Sequence, residues 1–239
     1  MSSNMGFFGK LPGYGDFVER NLPRSFLDQW DPWLQRGISG SQQSLGEGWL
    51  NNYLTAPVWH FALSSGCVDN NAWLGLFLPS VDKVGRYFPL TLAMPLAHSV
   101  NLSAAIGQNA AWFEKLAAIG MACLKESPTV EAVAEVIQNL GQPQVTPWQV
   151  QRPESNPLGN CIISATGDMK PEQGDVSLQQ SLTLSEGMLR QQYPSFSLWY
   201  TAGGEHSPGA LLSAESLPNP QGFAAMLTGQ WREFGWNLL

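Results

Sequence analysis

Apolar residues recur at period two in the middle of the chain. This alternation predicts strands over Val58 to Ser64, Trp73 to Leu78 and Leu90 to Leu96, and a shorter apolar run over residues 5 to 11 predicts another. The first two of the three alternating strands are apolar on both faces, so other elements must cover both faces. The links between the three are too short for crossover helices, so neighbouring strands should be antiparallel.

Spacings of three and four predict a first helix that begins at Pro23. Its apolar stripe consists of Leu27, Trp30, Leu34 and Ile38. Pro32 lies too deep for the first helical turn, so it predicts a kink, or a restart with Asp31 as N-cap.

Two further stripes predict helices packed on the sheet. One helix runs from Leu102 to Cys123, and a second runs from Val130 to Leu140 and ends at Gly141. Thr129 can cap the second helix.

The last hundred residues carry weaker signals. Four prolines between Gln142 and Gly159 predict a long irregular connection, Phe196 to Thr201 alternates as a late strand, and Pro220 to Gly229 predicts a short helix. An antiparallel sheet with helices on both faces, an α/β (α+β) fold, is the simplest architecture for these elements.

Composition and charge restrict the class of partner. Charged residues make up 13% of the chain and hydrophobic residues 44%, with ten tryptophans, so the chain can bury a sizeable core. The formal net charge is −7, and the twelve Lys and Arg are scattered from Lys10 to Arg232. Nucleic acid is therefore not predicted as a partner.

Cysteine usage and the apolar runs bear on location. Cys67, Cys123 and Cys161 are odd in number and far apart, which is typical of free thiols in a reducing compartment. The opening residues lack the pattern of a secretory signal, and no apolar run approaches the roughly 18 residues of a membrane span. A cytoplasmic location without membrane insertion is expected.

Nucleotide-binding motifs are incomplete. Gly9-Lys10 follows a strand, but Asn4 replaces the first glycine of a phosphate loop, and Leu11 stands where Ser or Thr must hold magnesium. Gly13-x-Gly15 lacks the third glycine of a dinucleotide loop. A tight turn that needs positive φ is the better interpretation of these glycines.

Catalytic and metal motifs are also incomplete. Ser80-x-x-Lys83 lacks its companion motifs and is interpreted as a loop, and His60 as a hydrogen-bonded core histidine. The only local acid cluster, Asp168, Glu172 and Asp175, matches no metal loop. We therefore predict no catalytic residue, cofactor or metal. A hydrolase that uses Asp16 or His60 beside an unrecognised pocket stays open as an alternative.

Charged and aromatic residues alternate near the N-terminus, and a second such site surrounds Arg86, which precedes Tyr87-Phe88-Pro89. Arginine and aromatic anchors beside a rigid turn favour a protein interface. Alternatively, Asp16 caps or salt-bridges the loop and the aromatics are core. The alternating set is Lys10, Asp16, Glu19, Arg20 and Arg24 with Phe7, Phe8, Tyr14, Phe17 and Phe26.

These residues carry a family resemblance. The run Gly6-Phe-Phe-Gly-Lys-Leu-Pro-Gly-Tyr-Gly-Asp-Phe-Val-Glu-Arg20 resembles the opening of the TagF family of bacterial type VI secretion, as do Trp30-Asp31-x-Trp33-Leu34 and Gly85-Arg-Tyr-Phe-Pro-Leu90. Ser197-Leu-Trp-Tyr-Thr201 is also similar. The resemblance implies one TagF-like domain over residues 1–239, with a best-matched core at 5–140, an irregular connection at 141–160 and a C-terminal strand and helix within 161–239.

The resemblance also implies a function. Family members act as post-translational repressors that engage a scaffold with a forkhead-associated domain, and their fold is similar to a longin/SRX-like α/β/α sandwich with a central antiparallel sheet. A structural part of the secretion apparatus is the alternative, and the oligomeric state stays open. The matching positions are candidate interface or structural residues: Lys10, Gly13, Asp16, Phe17, Arg20, Arg86 and Phe88.

Overall fold

A seven-stranded sheet forms the centre of the protein. The computed structural model describes residues 4–148 and 178–237. The strands are β1 (Gly6–Gly9), β2 (Val18–Arg20), β3 (Trp59–Leu63), β4 (Ala72–Leu78), β5 (Leu90–Leu96), β6 (Phe196–Gly203) and β7 (Pro208–Glu215). All neighbouring strands are antiparallel, in the order β2-β1-β5-β4-β3-β6-β7.

Helices cover both faces of the sheet. One face carries α1, α2 and α7, and the other carries α3, α4, α5 and α6, so the predicted α+β sandwich with an antiparallel sheet is confirmed. None of the helices in the described ranges is long and apolar enough to span a membrane. The helices are α1 (Arg24–Leu45), α2 (Trp49–Leu54), α3 (Leu102–Gly107), α4 (Ala110–Glu126), α5 (Val130–Gln138), α6 (Leu178–Gln192) and α7 (Phe223–Thr228).

The period-two pattern explains why the protein has two hydrophobic cores, one on each face of the sheet. In β3, Trp59, Phe61 and Leu63 pack in the core beneath α1, whereas Ala62 packs in the core beneath α4. The first core is mostly aromatic. In this core the buried indole N–H of Trp30 donates to Thr91 Oγ1 at 2.9 Å, so the one polar group of the Trp30 side chain has a partner.

Pro32 does not interrupt the first helix, so the predicted restart with Asp31 as N-cap is wrong. The predicted kink stays a prediction. Helix α1 is continuous from Arg24 to Leu45 with Pro32 inside it. A proline in a helix interior costs about 3 kcal/mol. The stripe that includes Trp30, Trp33 and Leu34 is buried on the sheet, and each such side chain contributes about 2 kcal/mol or more. Tertiary packing therefore outweighs the local penalty.

The single helix predicted from Leu102 to Cys123 is two helices, because Asn109 interrupts it. The side-chain amide of Asn109 donates to Ala105 O and to Gln144 O, both at 2.8 Å, and its Oδ1 accepts from the Gln144 N–H at 2.7 Å. These bonds compete with the helical ladder and attach residues 141–148 to the helix break.

The other predicted elements agree with the structure more closely. Helix α5 begins after Thr129, whose Oγ1 accepts from the Ala132 N–H at 3.2 Å, so the predicted cap is confirmed. The short helix near Pro220 is also present and ends at Gly229 in the left-handed region. Strands β2 and β7 and helix α6 were not predicted. Of the predicted connection, 141–148 is irregular, and residues 149–160 lie outside the described residues, as do Cys161 and the acid cluster at 168–175.

Candidate interaction site

Two loops meet beside β1 and form the candidate site. Strand β1 ends at Gly9, where φ is +140° and an added Cβ would collide with the backbone carbonyl oxygen of Pro89, so only glycine fits. The chain then turns over residues 10–17 into β2. The loop of residues 79–89 between β4 and β5 is joined to this turn, since Ser80 Oγ donates to Lys10 O at 2.7 Å.

A buried carboxylate organises the two loops. Asp82 Oδ2 lies 3.1 Å from Lys10 Nζ and accepts from Arg86 Nε at 2.7 Å. Its Oδ1 accepts from the backbone N–H groups of Arg86 at 2.9 Å and Val84 at 3.0 Å. The side chains of Asp82 and Lys10 are almost fully buried. We call residues 10–17 and 80–88 the Asp82 corner.

Asp82 is a fixed anion rather than a proton carrier. Removal of water raises the pKa of this carboxyl, but hydrogen bonds from the Arg86 N–H and guanidinium, from Lys10 and from the Val84 N–H lower it further. The net result holds the pKa of Asp82 well below its usual range. Its acceptor positions are occupied by protein donors, so it orients Arg86 and Lys10 and has no basic lone pair to offer a substrate.

An aromatic surface covers this ion pair. Phe17 stacks on Phe8 with ring centroids 5.4 Å apart, and its ring is nearly perpendicular to that of Phe88, with centroids 4.9 Å apart. Lys10 Nζ lies 4.0 Å from the Phe17 ring centroid, a cation–π contact. Phe17 is 44% exposed and the Arg86 side chain is 60% exposed, so one aromatic and one guanidinium face solvent on a rigid base.

Asp16 has the local role that the sequence left open. Its Oδ1 accepts from the Phe17 N–H at 2.8 Å and lies 3.9 Å from Lys10 Nζ, while 93% of its side chain is exposed. Arg86 closes the same turn by donating to Gly15 O. The turn is therefore held from both sides by charged groups.

The structure brings together five of the seven residues that the sequence singled out: Lys10, Asp16, Phe17, Arg86 and Phe88. Lys10 and Phe88 are buried and support the surface from below.

Gly13 lies in the same turn but faces the end of α4, and Arg20 lies outside the corner on β2. The Cβ position of Gly13 is 3.2 Å from the Ser127 side chain at the end of α4, and Arg20 on β2 pairs with Glu131 of α5 at 3.1 Å. Neither Gly13 nor Gly15 has positive φ, so that prediction is wrong; within β1 and this turn the positive φ falls at Gly9.

Sequence reasoning missed Asp82 and its support from α2. Tyr53 OH donates to Ser80 O at 2.9 Å and accepts from the Ser80 N–H at 3.1 Å. Burial raises the pKa of this phenol above its usual range, so it stays protonated. The spacing Asp82-x-x-x-Arg86 with Gly85 between was the only local signal. Ser80-x-x-Lys83 is a loop, and the Ser80 hydroxyl donates to the backbone carbonyl of Lys10.

His60 occupies a different place from the Asp82 corner. It lies on β3 between Phe113, at 4.7 Å, and Tyr200, at 5.7 Å between ring centroids. Neither ring nitrogen has a hydrogen-bond partner among the described residues, so the predicted hydrogen bond is not found there. Burial lowers the pKa of His60 to about 4. Strands β5 and β4 separate it from the turn of Asp16.

Metal ligands do not converge in the described ranges. No group of three His, Cys, Asp or Glu side chains there could hold a metal ion. Cys67 and Cys123 are free and buried, and burial raises the pKa of the Cys123 thiol to about 11.

Replacing Lys10 by methionine should destabilise the corner measurably. Methionine keeps an apolar stem against Phe17 but removes the ammonium from Asp82, which retains Arg86. Loss of one charged hydrogen bond to a buried group corresponds to about 2 kcal/mol in the free energy of unfolding. Urea unfolding at pH 7 measures it, with Lys83→Met, an exposed lysine of the same loop, as control. Equal stability of the two variants would contradict a structural role for the Lys10–Asp82 pair.

Comparisons with known proteins bear on this same region. The TagF N-terminal domain, described as type VI secretion system-associated, matches residues 6–140, which include the whole Asp82 corner. Among solved structures, the crystal structure of PA0076 from Pseudomonas aeruginosa PAO1 is similar, with 33% sequence identity and a TM-score of 0.77. The match covers 95% of this chain and 94% of that chain. Curated proteins gave no match.

Proposed function

Because the chain belongs to the TagF N-terminal domain family of type VI secretion-associated proteins, we propose that it is a cytoplasmic repressor of type VI secretion. It acts after translation by binding one component of the machinery and covering a surface that the active machine needs. The expected component is the scaffold that carries a forkhead-associated domain. The mechanism is occupancy, so no covalent bond is made or broken.

The observation that supports this proposal most directly is the construction of the Asp82 corner. A buried anion with protein donors around it holds Phe17 and Arg86 in place at the surface. Arginine and large aromatics dominate binding energy in protein interfaces. Side chains that are ordered before binding lose less conformational entropy when the partner arrives. The corner therefore has the chemistry of a preformed anchor.

The geometry favours binding over the hydrolase alternative. Hydrolysis by Asp16 or His60 needs a convergent site, but Asp16 is almost fully exposed in the β1–β2 turn and His60 is buried in β3. Asp82 is already saturated with donors. The corner thus offers contact surface and fixed charge, which suit a partner protein better than a small substrate.

Phe17→Ala should weaken binding to the forkhead-associated scaffold at least tenfold. The change removes the exposed ring and leaves the Asp82 ion pairs in place, so the fold should persist. Binding is measured by titration calorimetry with purified scaffold, and far-ultraviolet circular dichroism checks folding. Leu50→Ala, which truncates a partly exposed apolar side chain on α2, is the matched control and should bind like the parent protein.

Arg20→Glu with the control Arg36→Glu extends this test along β2. Arg86→Glu is a poorer choice than the sequence indicated, because a glutamate there would face the buried carboxylate of Asp82.

Overexpression of the parent protein should stop secretion, and Phe17→Ala should restore it. Unchanged scaffold binding by Phe17→Ala would remove the Asp82 corner from the interface, and unchanged binding by Arg20→Glu would remove the neighbouring part of β2. Stoichiometric retention of the protein in purified, firing apparatus would favour the structural-component alternative.

A further inference from the structure

Two cations at the surface of the Asp82 corner are only partly used by the protein. Arg86 donates from Nε to Asp82 and from Nη2 to Gly15 O, and no described residue accepts from its Nη1. Lys83 is exposed in the same loop and forms no ion pair within the part of the chain that the structure describes. Both side chains can donate hydrogen bonds but cannot accept them, so a group that binds to them must be an acceptor.

The acidic groups of the corner do not offset both cations. Asp82 is buried beside Lys10 and Arg86, and Asp16 lies 3.9 Å from Lys10 Nζ. The two carboxylates are thus matched by two cations, which leaves Lys83 as the excess charge. The corner has a formal net charge of +1, whereas the rest of the chain carries −8. It is therefore a cationic surface on an acidic protein.

Apolar side chains accompany these cations at the surface. Val84 is 68% exposed in the loop that carries Lys83, and Phe17 is 44% exposed in the turn that Arg86 closes through Gly15 O. A group that covers the corner therefore meets cationic donors and apolar side chains together. Such a mixture suits a segment of polypeptide better than a free ion.

We propose that the Asp82 corner binds a short acidic segment of the partner protein. Carboxylates of that segment accept from Arg86 Nη1 and Lys83 Nζ, and a neighbouring apolar side chain packs on Phe17. This inference rests on the proposed binding role of the corner and adds the chemistry of what is bound. A carboxylate matches a guanidinium in charge and geometry. Because Asp82 orients Arg86 before binding, less conformational entropy is lost when the segment arrives.

The charge of the whole chain favours a short segment over an extended anion. Nucleic acids and anionic membranes are bound by clusters of about four to eight cations, and the corner offers two that face solvent. The charge of −8 on the rest of the chain would repel a large anionic surface. A short acidic segment approaches the corner alone, so it is attracted there and repelled elsewhere, which also fixes its orientation.

Fluorescence anisotropy with three labelled peptides tests the chemistry of the ligand. The first peptide has Glu-Glu-Leu repeats, the second has Gln in place of Glu, and the third has Ser in place of Leu. In 0.1 M salt the first should bind about tenfold more tightly than either of the others. Its advantage over the Gln peptide should disappear in 1 M salt, since the Debye length falls from about 10 Å to about 3 Å. Equal binding of the Glu and Gln peptides in 0.1 M salt would overturn the proposal.

Lys83→Glu reverses the excess charge and leaves the ion pairs of Asp82 intact. It should lower the association rates of the Glu-Glu-Leu peptide and of the scaffold about tenfold in 0.1 M salt, because the corner would no longer attract an acidic segment. Lys115→Glu, which makes the same change of charge at an exposed position of α4, is the matched control and should change these rates less than about twofold. Equal effects of the two variants would overturn the proposal, because net charge rather than the corner would then control binding.

Scaffold binding separates this inference from the repressor proposal. If the scaffold binds equally tightly in 0.1 M and 1 M salt and to Lys83→Glu, the acidic segment is wrong and repression by occupancy stands. If the Glu-Glu-Leu peptide binds through Lys83 and the scaffold does not bind, the repressor proposal fails and the acidic ligand stands. Tighter binding of phosphatidylglycerol vesicles than of the peptide, or scaffold binding that phosphatase treatment abolishes, would overturn the inference, because the ligand would then be a phosphate.

Discussion

Acidification from pH 7 to pH 4 should remove about 3 kcal/mol from the free energy of unfolding through His60 alone. The pKa of this histidine is lowered from 6.5 to about 4 in the folded protein, because burial disfavours the imidazolium. Between these values the unfolded chain binds a proton that the folded protein does not. Stability therefore falls as the pH decreases from 6.5 to 4, and one pKa unit corresponds to about 1.36 kcal/mol.

His60→Phe isolates this contribution. Phenylalanine has a similar shape, packs between Phe113 and Tyr200, and cannot be protonated. At pH 7 the variant should be at least as stable as the parent protein, since the ring nitrogens of His60 have no partner among the described residues. At pH 4 it should exceed the parent by about 3 kcal/mol more than it does at pH 7.

Urea unfolding at pH 7, 5.5 and 4 measures the difference, with His98→Phe, an exposed histidine, as the control. The pH profile of His98→Phe should follow that of the parent protein. If His60→Phe also follows the parent profile, His60 is accessible to protons in the folded state.

Glu186→Ala should destabilise the protein by about 4 kcal/mol, the largest single effect that we expect from a charged residue. The Glu186 side chain is fully buried, and its Oε1 accepts from Arg190 Nε at 2.7 Å. Its Oε2 accepts from the backbone N–H of Ser103 at 3.0 Å and from Ser103 Oγ at 3.1 Å. One carboxylate thus satisfies a donor in the first turn of α3 and the guanidinium of α6.

Removal of Glu186 would leave both groups without their acceptor. Arg190 also donates to Val100 O at 2.9 Å and lies over the rings of Trp148 and Phe196, so it cannot turn to solvent without losing these contacts. The same reasoning predicts a smaller loss for Glu186→Gln, whose amide oxygen can still accept from Ser103.

Urea unfolding at pH 7 and hydrogen exchange of α3 and α6 amides test this prediction. Glu135→Ala, an exposed glutamate on α5, is the control and should change stability by less than about 0.5 kcal/mol. A loss below about 1 kcal/mol for Glu186→Ala would mean that the α3–α6 contact is held by apolar packing alone.

The local pattern of apolar and polar residues was sufficient to predict most of the helices and strands in the first 140 residues. Strands β3, β4 and β5 lie within one residue of the positions that alternation predicted, because both of their faces are buried and the pattern is strong. Helix α6 was missed because its sequence is mostly polar and contains Gly187, so it lacks a clear apolar stripe; its buried contact with α3 is made by a charged residue, Glu186. Strand β7 was missed because glycine and alanine carry little strand propensity.

Local sequence also identified part of the candidate site. Phe17 and Arg86 stand out as an unusual mixture of residue types in their segments. Asp82 does not stand out, because its partner Lys10 is distant in the chain and only the paired loops remove both from water. At Asn109, hydrogen bonds to a distant segment end a helix that the local pattern predicts to continue. At Pro32, packing on the sheet keeps a helix continuous where the local residue predicts a break.

The sequence by itself determined the alternation of the strands, the stripes of the helices and the composition of the opening turn, since these depend on residues a few positions apart. The tertiary structure alone decided which charged and polar groups are buried and what they touch. Burial depends on chain segments that meet after folding, and it separates Asp82 as a structural anion from Arg86 and Phe17 as exposed anchors.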